Sequence, residues 1–296
     1  MQLLCNIPEV LPQPCVATIG FFDGVHRGHR YLIEQVREVA VAHGFASGVV
    51  TFPVHPRKVV QPEYHPELLT TYEEKVALLA ETGLDYCMML DFTPEVAILS
   101  AKEFMLFLYN HYNIRALVIV YDHCFVHNRS EGFDDYVRYG QELGIEVILA
   151  HAYIDKDVAV ISSVIRQLLS EGNVSEAASC LGYDYFLNGI VVSGYRVGRK
   201  IGFPTANLRV DDPDKLVPSD GVYAVRVTVA GQSYGGMLSI GYRPTMANGT
   251  DRSIEVNIFN FHSDIYEQYI CLSFVRHFFD ASFCRIGRFR FGCLKR

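Results

Sequence analysis

Apolar and polar positions along the first half of the chain fall into blocks of two kinds. Residues 16–21 form a short apolar run that ends in glycine-rich sequence, and residues 31–43 follow with Leu32, Val36 and Val39 near one helical face. Residues 48–52 read as a buried strand, 73–82 as a helix stopped by Gly83, and 85–92 as a strand. Pro94 and the capping-box spacing of Ser100 and Glu103 open a helix that runs to His111. A strand at 116–121, a helix at 133–143 and a strand at 146–150 continue the pattern. Strands alternating with helices at this spacing predict βαβ units and a parallel sheet. Such sheets bind ligands beyond the carboxyl ends of their strands, at a topological switch point, which directs attention to the loops after Ile19 and Val120. Residues 161–171 and 175–181 read as two short helices. After Gly182 glycines recur every few residues, and β-rich runs appear at 190–192, 223–229, 234–240, 254–259 and 269–275. Short strands with Gly and Asn/Asp turns predict an antiparallel barrel or sandwich. The expected fold class is therefore an α/β domain with a Rossmann-like parallel sheet over residues 1–185, followed by an all-β domain over 186–296.

Composition narrows the function classes. Half of the 296 residues are hydrophobic and a fifth are charged, the balance of a soluble globular protein. No apolar run approaches the ~18 residues of a membrane-spanning helix, and the first residues lack the basic region and apolar core of a secretory signal. The expectation is a cytoplasmic protein with no membrane association and no obligate protein partner. A net charge of −7 argues against a dedicated nucleic-acid binder. The eight cysteines include no C-x-x-C pair and fit no zinc spacing, so they read as reduced thiols acting as small hydrophobes. His55, His65, His111, His151, His262 and His277 read as surface or interface residues.

Two motifs carry chemistry. The first, Thr18-Ile-Gly-Phe-Phe-Asp-Gly-Val-His-Arg-Gly-His29, lies between a strand and a helix. Its glycines let the backbone turn tightly and approach a ligand. His26 and His29, at i and i+3 on a helix start, face a place where amides and the helix dipole favour anions. The bland alternatives are a helix cap or a metal pair. The second, Gly198-Arg-Lys-Ile-Gly-Phe-Pro-Thr-Ala-Asn207, offers amides, a hydroxyl and a carboxamide, hard oxygen ligands suited to a magnesium–nucleotide. Alone, Pro-Thr-Ala-Asn reads as a turn.

H-x-G-H after the first strand resembles the signature of the nucleotidyltransferase superfamily. The longer form resembles the bacterial bifunctional riboflavin kinase/FAD synthetase family. The resemblance continues through Val50-Thr-Phe-Pro-Val-His-Pro-Arg57, Glu74-Lys75 and Ser162-Ser-Val-Ile-Arg166. In the second half G-R-x-I-G-F-P-T-A-N-L resembles the flavokinase signature, with Asp220-Gly-Val-Tyr223, Ile240-Gly-Tyr-Arg-Pro-Thr245 and Ile254-Glu-Val-Asn257 in family order. The resemblance implies that the second domain phosphorylates riboflavin to FMN with ATP and Mg²⁺. It implies that the first joins FMN to the AMP part of ATP, releasing pyrophosphate. Glu255 would be the general base on the ribityl 5′-hydroxyl, and Thr205 and Asn207 would hold the magnesium-ATP beside Gly198, Lys200, Gly202 and Pro204. In the first domain Gly20, Phe22, Gly24, His26, His29, Asp122, Ser162, Ser163 and Arg166 would hold and polarise phosphates.

Two stretches depart from the pattern. The loop expected to read G-Y-D-H-R-F-G-H-N-R has Val120 and Val126 for glycines and Cys124 for arginine. His123 and His127 lie in it as possible phosphate contacts. The tail after Phe278 carries five basic residues and one acid, with no clean helical face, as a frame-shifted or truncated gene would give. The departures motivate alternatives: one surviving activity, a flavin- or nucleotide-binding regulatory protein without turnover, or a nucleotidyltransferase acting on another phosphate ester.

Overall fold

The computed structural model describes residues 1–5, 10–61, 63–120, 131–155, 158–193, 204–242 and 252–278. The chain divides into two units. The first comprises Met1–Ile165, Cys180–Gly182 and Asp214–Leu216; the second comprises Arg166–Ser179, Tyr183–Pro213 and Val217–Arg296.

The first unit is built on six strands: β1 (Gln2–Cys5), β2 (Cys15–Ile19), β3 (Ala46–Thr51), β4 (Tyr86–Met89), β5 (Ile114–Ile119) and β6 (Glu146–Leu149). They form one sheet in the order β1-β4-β3-β2-β5-β6, and every neighbouring pair is parallel. A parallel sheet covered on both faces needs strands apolar on both faces, and every residue of β2 and β3 is buried. The helices are α1 (Arg27–His43), α2 (Pro56–Val60), α3 (Tyr72–Ala80), α4 (Pro94–Ala97), α5 (Ala101–Tyr112) and α6 (Phe133–Leu143). α1 buries Leu32, Ile33, Val36 and Ala40, a stripe at helical spacing. α5 buries Phe104, Met105, Leu108 and Tyr112 into a core shared with Cys15, Ala17 and Leu117. Capping boxes start α3 at Thr71 with Glu74 and α5 at Ser100 with Glu103. From β2 the chain builds outward through β3 and β4, then returns to place β5 and β6 on the other side. The carboxyl ends of β2 and β5 are thus adjacent at the switch point, where the pattern placed them. A two-stranded ribbon, β7 (Ile154–Asp155) with β8 (Val158–Ala159), follows.

Two helices follow, α7 (Ser162–Ser170) and α8 (Val174–Leu181), and residues 166–179 of this stretch belong to the second unit. That unit is a closed antiparallel barrel of β9 (Phe186–Val192), β10 (Ala206–Arg209), β11 (Gly221–Val229), β12 (Gln232–Tyr242), β13 (Arg252–Ile258) and β14 (Tyr269–Phe278), in the order β10-β13-β12-β11-β14-β9. The barrel-or-sandwich expectation resolves to a barrel, which leaves no unpaired edge. Burial alternates along β9, β11 and β13, and Leu187, Val191, Tyr223, Val227, Val256 and Leu272 fill the interior. One bulge interrupts β11 against β14, between Ala224 and Val225.

None of the described cysteines forms a disulfide, and burial pushes the Cys15 thiol up to about 12. At neutral pH that thiol is a small hydrophobe, as its sequence context indicates. Gly198, Lys200, Gly202, Asp122, His123, Cys124, Val126, His127 and the tail beyond Phe278 lie outside the described residues.

Candidate active sites

In the first unit the turn between β2 and α1 is strained and tightly held. Phe22 (φ 55), Gly24 (φ 80) and Val25 (φ 36) all adopt left-handed backbone. For a β-branched residue such as Val25 that conformation is an outlier, and strain of this kind persists only where surroundings over-determine it. The surroundings are visible. Asp23, 3% exposed, accepts from the Leu69 amide (2.9 and 3.0 Å), the Thr70 amide (3.1 Å) and the Thr70 hydroxyl (3.3 Å). The Gly24 amide donates to Thr70 Oγ1 at 3.1 Å, and Ser162 Oγ donates to the Asp23 carbonyl at 3.1 Å. A side chain at Gly24 would meet Leu69 Cδ1 at 2.8 Å; one at Gly28 would meet the Val160 carbonyl oxygen at 2.7 Å.

The turn delivers the two histidines. His26 is the N-cap of α1, its Nδ1 accepting from the His29 amide at 3.3 Å. An accepting Nδ1 leaves the neutral ring its proton on Nε2. Capping and a role at phosphate are therefore compatible for His26. The His26 and His29 rings stack with centroids 3.6 Å apart and planes 19° apart, and Phe22 meets His29 edge-on at 5.1 Å. His29 Nδ1 is buried without a hydrogen-bond partner among the described residues. Burial, then the neighbouring His26, then Lys75 hold the His29 imidazole well below its ordinary pKa, so it is neutral at pH 7.

Beneath the turn Lys75 is buried, donating to the Phe52 carbonyl (2.6 Å) and the Phe21 carbonyl (3.2 Å) and lying 4.0 Å from the Phe21 ring centroid. Burial pulls its ammonium down to about 8, against the opposing pull of the Asp23 carboxylate. The roles of Asp23, Glu74 and Lys75 are not legible in the motifs that contain them; the one sequence signal at Asp23 is an acid set between an apolar run and a glycine, and its burial is a structural finding.

Of the expected residues, Gly20, Phe22, Gly24, His26, His29 and Ser162 are gathered at this turn. Ser163 is exposed one residue on. Arg166 is half-buried and belongs to the second unit.

In the second unit Pro204 and Thr205 lead directly into β10. Asn207 on β10 stands opposite Glu255 on β13, and Ala206 opposite Val256. Because side chains alternate, Thr205, Asn207 and Glu255 share the outer face, while Val256 turns inward and is fully buried. Thr205 Oγ1 donates to Glu255 Oε2 at 3.4 Å, and Asn257 Nδ2 donates to the Pro204 carbonyl at 2.7 Å. A cleft of about 190 Å³ is lined by Thr205, by the apolar Val191, Ala206, Val256, Ile258, Phe261 and Ile265, and by Tyr266, His262, Ser263 and Asp264; Asn207 and Glu255 are not among its lining residues. It combines apolar side chains with a few polar ones, the usual form of a small-molecule site. Among the described residues no group of three or more His, Cys, Asp or Glu side chains is arranged to hold a metal.

Known proteins match both halves. The family model for FAD synthetase matches residues 9–164, and that for riboflavin kinase matches 181–281. The bifunctional riboflavin kinase/FMN adenylyltransferase of Listeria monocytogenes is 35% identical over 252 residues, covering 85% of this chain and 80% of its own. That of Escherichia coli is 34% identical over 267 residues, covering 90% and 84%. The chain belongs to the bifunctional riboflavin kinase/FMN adenylyltransferase family. A solved structure described as a macrolide-efflux protein from Streptococcus pneumoniae has a TM-score of 0.81 at 30% identity, covering 94% of this chain and 92% of that one. It extends the architecture to nearly the whole length. Among the described residues no helix is long and apolar enough to cross a membrane. The family resemblance read from the motifs is thus established. The FAD synthetase match takes in both histidines and both serines and stops before Arg166.

Proposed function

We propose that residues 1–185 adenylylate FMN to FAD and residues 186–296 phosphorylate riboflavin to FMN, with ATP and Mg²⁺, in a cytoplasmic bifunctional enzyme. The presence of both family matches favours two activities over one. The observation that supports the reading is the cluster of Thr205, Asn207 and Glu255 on one face of the barrel, of which Thr205 also lines the cleft.

In the kinase reaction the Glu255 carboxylate takes the proton of the ribityl 5′-hydroxyl as that oxygen bonds to the γ-phosphorus and the bond to the β-γ bridging oxygen breaks, releasing ADP. The Thr205 hydroxyl, now 3.4 Å from Glu255, orients the carboxylate. Thr205, Asn207 and Glu255 are hard oxygen donors of the kind Mg²⁺ prefers, so the residues fit that ion, and Thr205 and Asn207 are assigned to it with the triphosphate. When bound, the ion neutralises charge on the transferring phosphoryl group. The apolar recess takes a planar ring whose polar tail reaches Thr205. Gly198, Lys200, Gly202 and Pro204 complete this site by resemblance.

In the adenylyl reaction an FMN phosphate oxygen attacks the α-phosphorus and pyrophosphate leaves, with no proton to move. The requirement is stabilisation of negative charge, which the α1 N-terminus and the imidazoles of His26 and His29 supply. Gly20, Phe22, Gly24 and Ser162 shape the turn, and Ser163 adds a hydroxyl. Asp122 and Arg166 enter the reading by resemblance alone.

Incubation of the purified chain with riboflavin, ATP and MgCl₂, followed by chromatography, tests this. FMN forms first, then FAD with pyrophosphate. Absence of FMN overturns the kinase assignment; absence of FAD from supplied FMN overturns the adenylyltransferase assignment.

A further inference from the structure

The segment Asp214–Leu216 lies in sequence between β10 and β11 yet belongs to the first unit. It docks as a short parallel bridge. The Leu68 amide donates to the Asp214 carbonyl at 2.7 Å, and the Leu216 amide donates to the Leu68 carbonyl at 2.8 Å, with Lys215 opposite Leu68. Lys58 Nζ holds Asp214 Oδ2 at 2.5 Å. Lys215 itself reaches inward. Its Nζ donates to Glu74 Oε2 at 2.5 Å and to the Leu69 carbonyl at 2.7 Å, and the ion pair is 1% and 6% exposed. The same Glu74 oxygen accepts from the Thr71 amide at 3.0 Å, within the capping box of α3.

These contacts converge on residues 68–74 from one side. From the other side the Leu69 and Thr70 amides hold the Asp23 carboxylate, and Thr70 Oγ1 holds the Gly24 amide. Asp23 and Gly24 belong to the strained turn that ends in His26. The path from Lys215 to the histidines is therefore continuous: Lys215, the Leu69 peptide, Asp23, the turn, then the N-cap of α1.

We propose that Lys215 is a positioning residue for the adenylyltransferase site, fixing His26 and His29 through Leu69 and Asp23. The proposal rests on the adenylyltransferase reading above. A buried ion pair contributes little net stability compared with a well-packed apolar pair, so stability alone is a weak reason for this one. Position is a better one, because a carbonyl and a carboxylate held by one ammonium cannot move independently. Its ammonium meets Glu74 and the Leu69 carbonyl, neither of them assigned to substrate, so it acts through others.

The test uses the full chain carrying E74Q and K215M together, which removes both buried charges and leaves the Leu69 carbonyl without its ammonium donor. The expected result is an unfolding midpoint close to that of the parent, riboflavin kinase activity unchanged, and FAD formation lowered roughly 10- to 100-fold, mainly in kcat. In ¹⁵N-edited spectra the ring nitrogens of His26 and His29 shift. A folded double variant with parental FAD formation and unshifted rings overturns the proposal. So does a fall in FMN formation that parallels the loss of FAD. If the parent itself makes no FAD, the functional reading has failed, and the ring signals alone decide whether Lys215 positions the histidines. Should the double variant not fold, K58Q, which unties Asp214 at the rim of the segment, lowers FAD formation by a smaller factor; no decrease counts against the proposal.

Discussion

Replacing Gly24 with alanine puts a methyl group where backbone and neighbours both oppose it. At φ 80 an L-residue meets its own following carbonyl, a cost of about 1–2 kcal/mol. The new Cβ lies 2.8 Å from Leu69 Cδ1, 3.1 Å from Leu69 Cβ and 3.3 Å from Leu181 Cδ2. Leu69 is fully buried and cannot swing into solvent, so overpacking adds about 1–3 kcal/mol. The sum is about 2–5 kcal/mol of local destabilisation. Gly44, at φ 66, has nothing within 4 Å of its virtual Cβ, so Gly44→Ala carries the backbone cost of about 1–2 kcal/mol alone. The pair separates crowding from conformation. Hydrogen exchange at the Leu69 and Thr70 amides, which bond to Asp23 beside Gly24, is the local readout. At about tenfold per 1.4 kcal/mol, Gly24→Ala accelerates that exchange roughly 30-fold or more. Gly44→Ala leaves it unchanged. FAD formation falls in the first variant and not in the second. Parental protection at Leu69 and parental FAD formation in Gly24→Ala would refute the idea that a packed turn presents the histidines.

Further outcomes follow from the two sites. Glu255→Gln lowers FMN formation by about 10²–10⁴-fold while leaving FAD formation from supplied FMN intact, as chromatography of both products shows. Thr205→Val raises the magnesium-ATP concentration needed for half-maximal kinase rate by roughly tenfold, because a hydroxyl ligand is lost; an unchanged requirement removes Thr205 from the ion's ligands. His29 resists protonation when folded but takes a proton near its ordinary value when unfolded. Below about pH 6.5 the unfolded state therefore binds more protons, and stability is lost as pH falls through that value. Thermal midpoints measured from about pH 7.5 down to about pH 5.5 decline less steeply in His29→Gln than in the parent.

Periodicity was sufficient for the elements with strong patterns. The central strands β2 and β3 read as apolar runs because both of their faces are covered, and α6 spans the residues its pattern predicts. The structure adds elements whose signal is weak for physical reasons. β1 is a four-residue edge strand with one buried position, so it shows neither an apolar run nor a clean alternation. β10 is equally short and begins within Pro-Thr-Ala-Asn, which local turn chemistry reads as a loop; its partners β9 and β13 make it a strand. The histidines were legible because glycines and spacing mark them. Lys215 was not, because its acceptor Glu74 lies 141 residues away and no local pattern reports such a contact. Lys75 was legible as part of a motif, but its burial, and hence its softened basicity, depends on tertiary packing beneath the Phe21 and Phe52 carbonyls.

The late arrival of Asp214–Leu216 in a unit that otherwise ends at Gly182 has a consequence for biosynthesis. A ribosome adding about 5–20 residues per second needs roughly 2–7 s to go from Leu181 to Leu216. During that interval the other residues of the first unit have been synthesised, but the three that clasp Leu68 and Leu69 have not. The Asp23 turn is thus finished only after translation has passed into sequence that codes for the barrel. A gene split at codon 185 would part the first unit from a piece of itself, so separately produced halves are not equivalent to the natural parts.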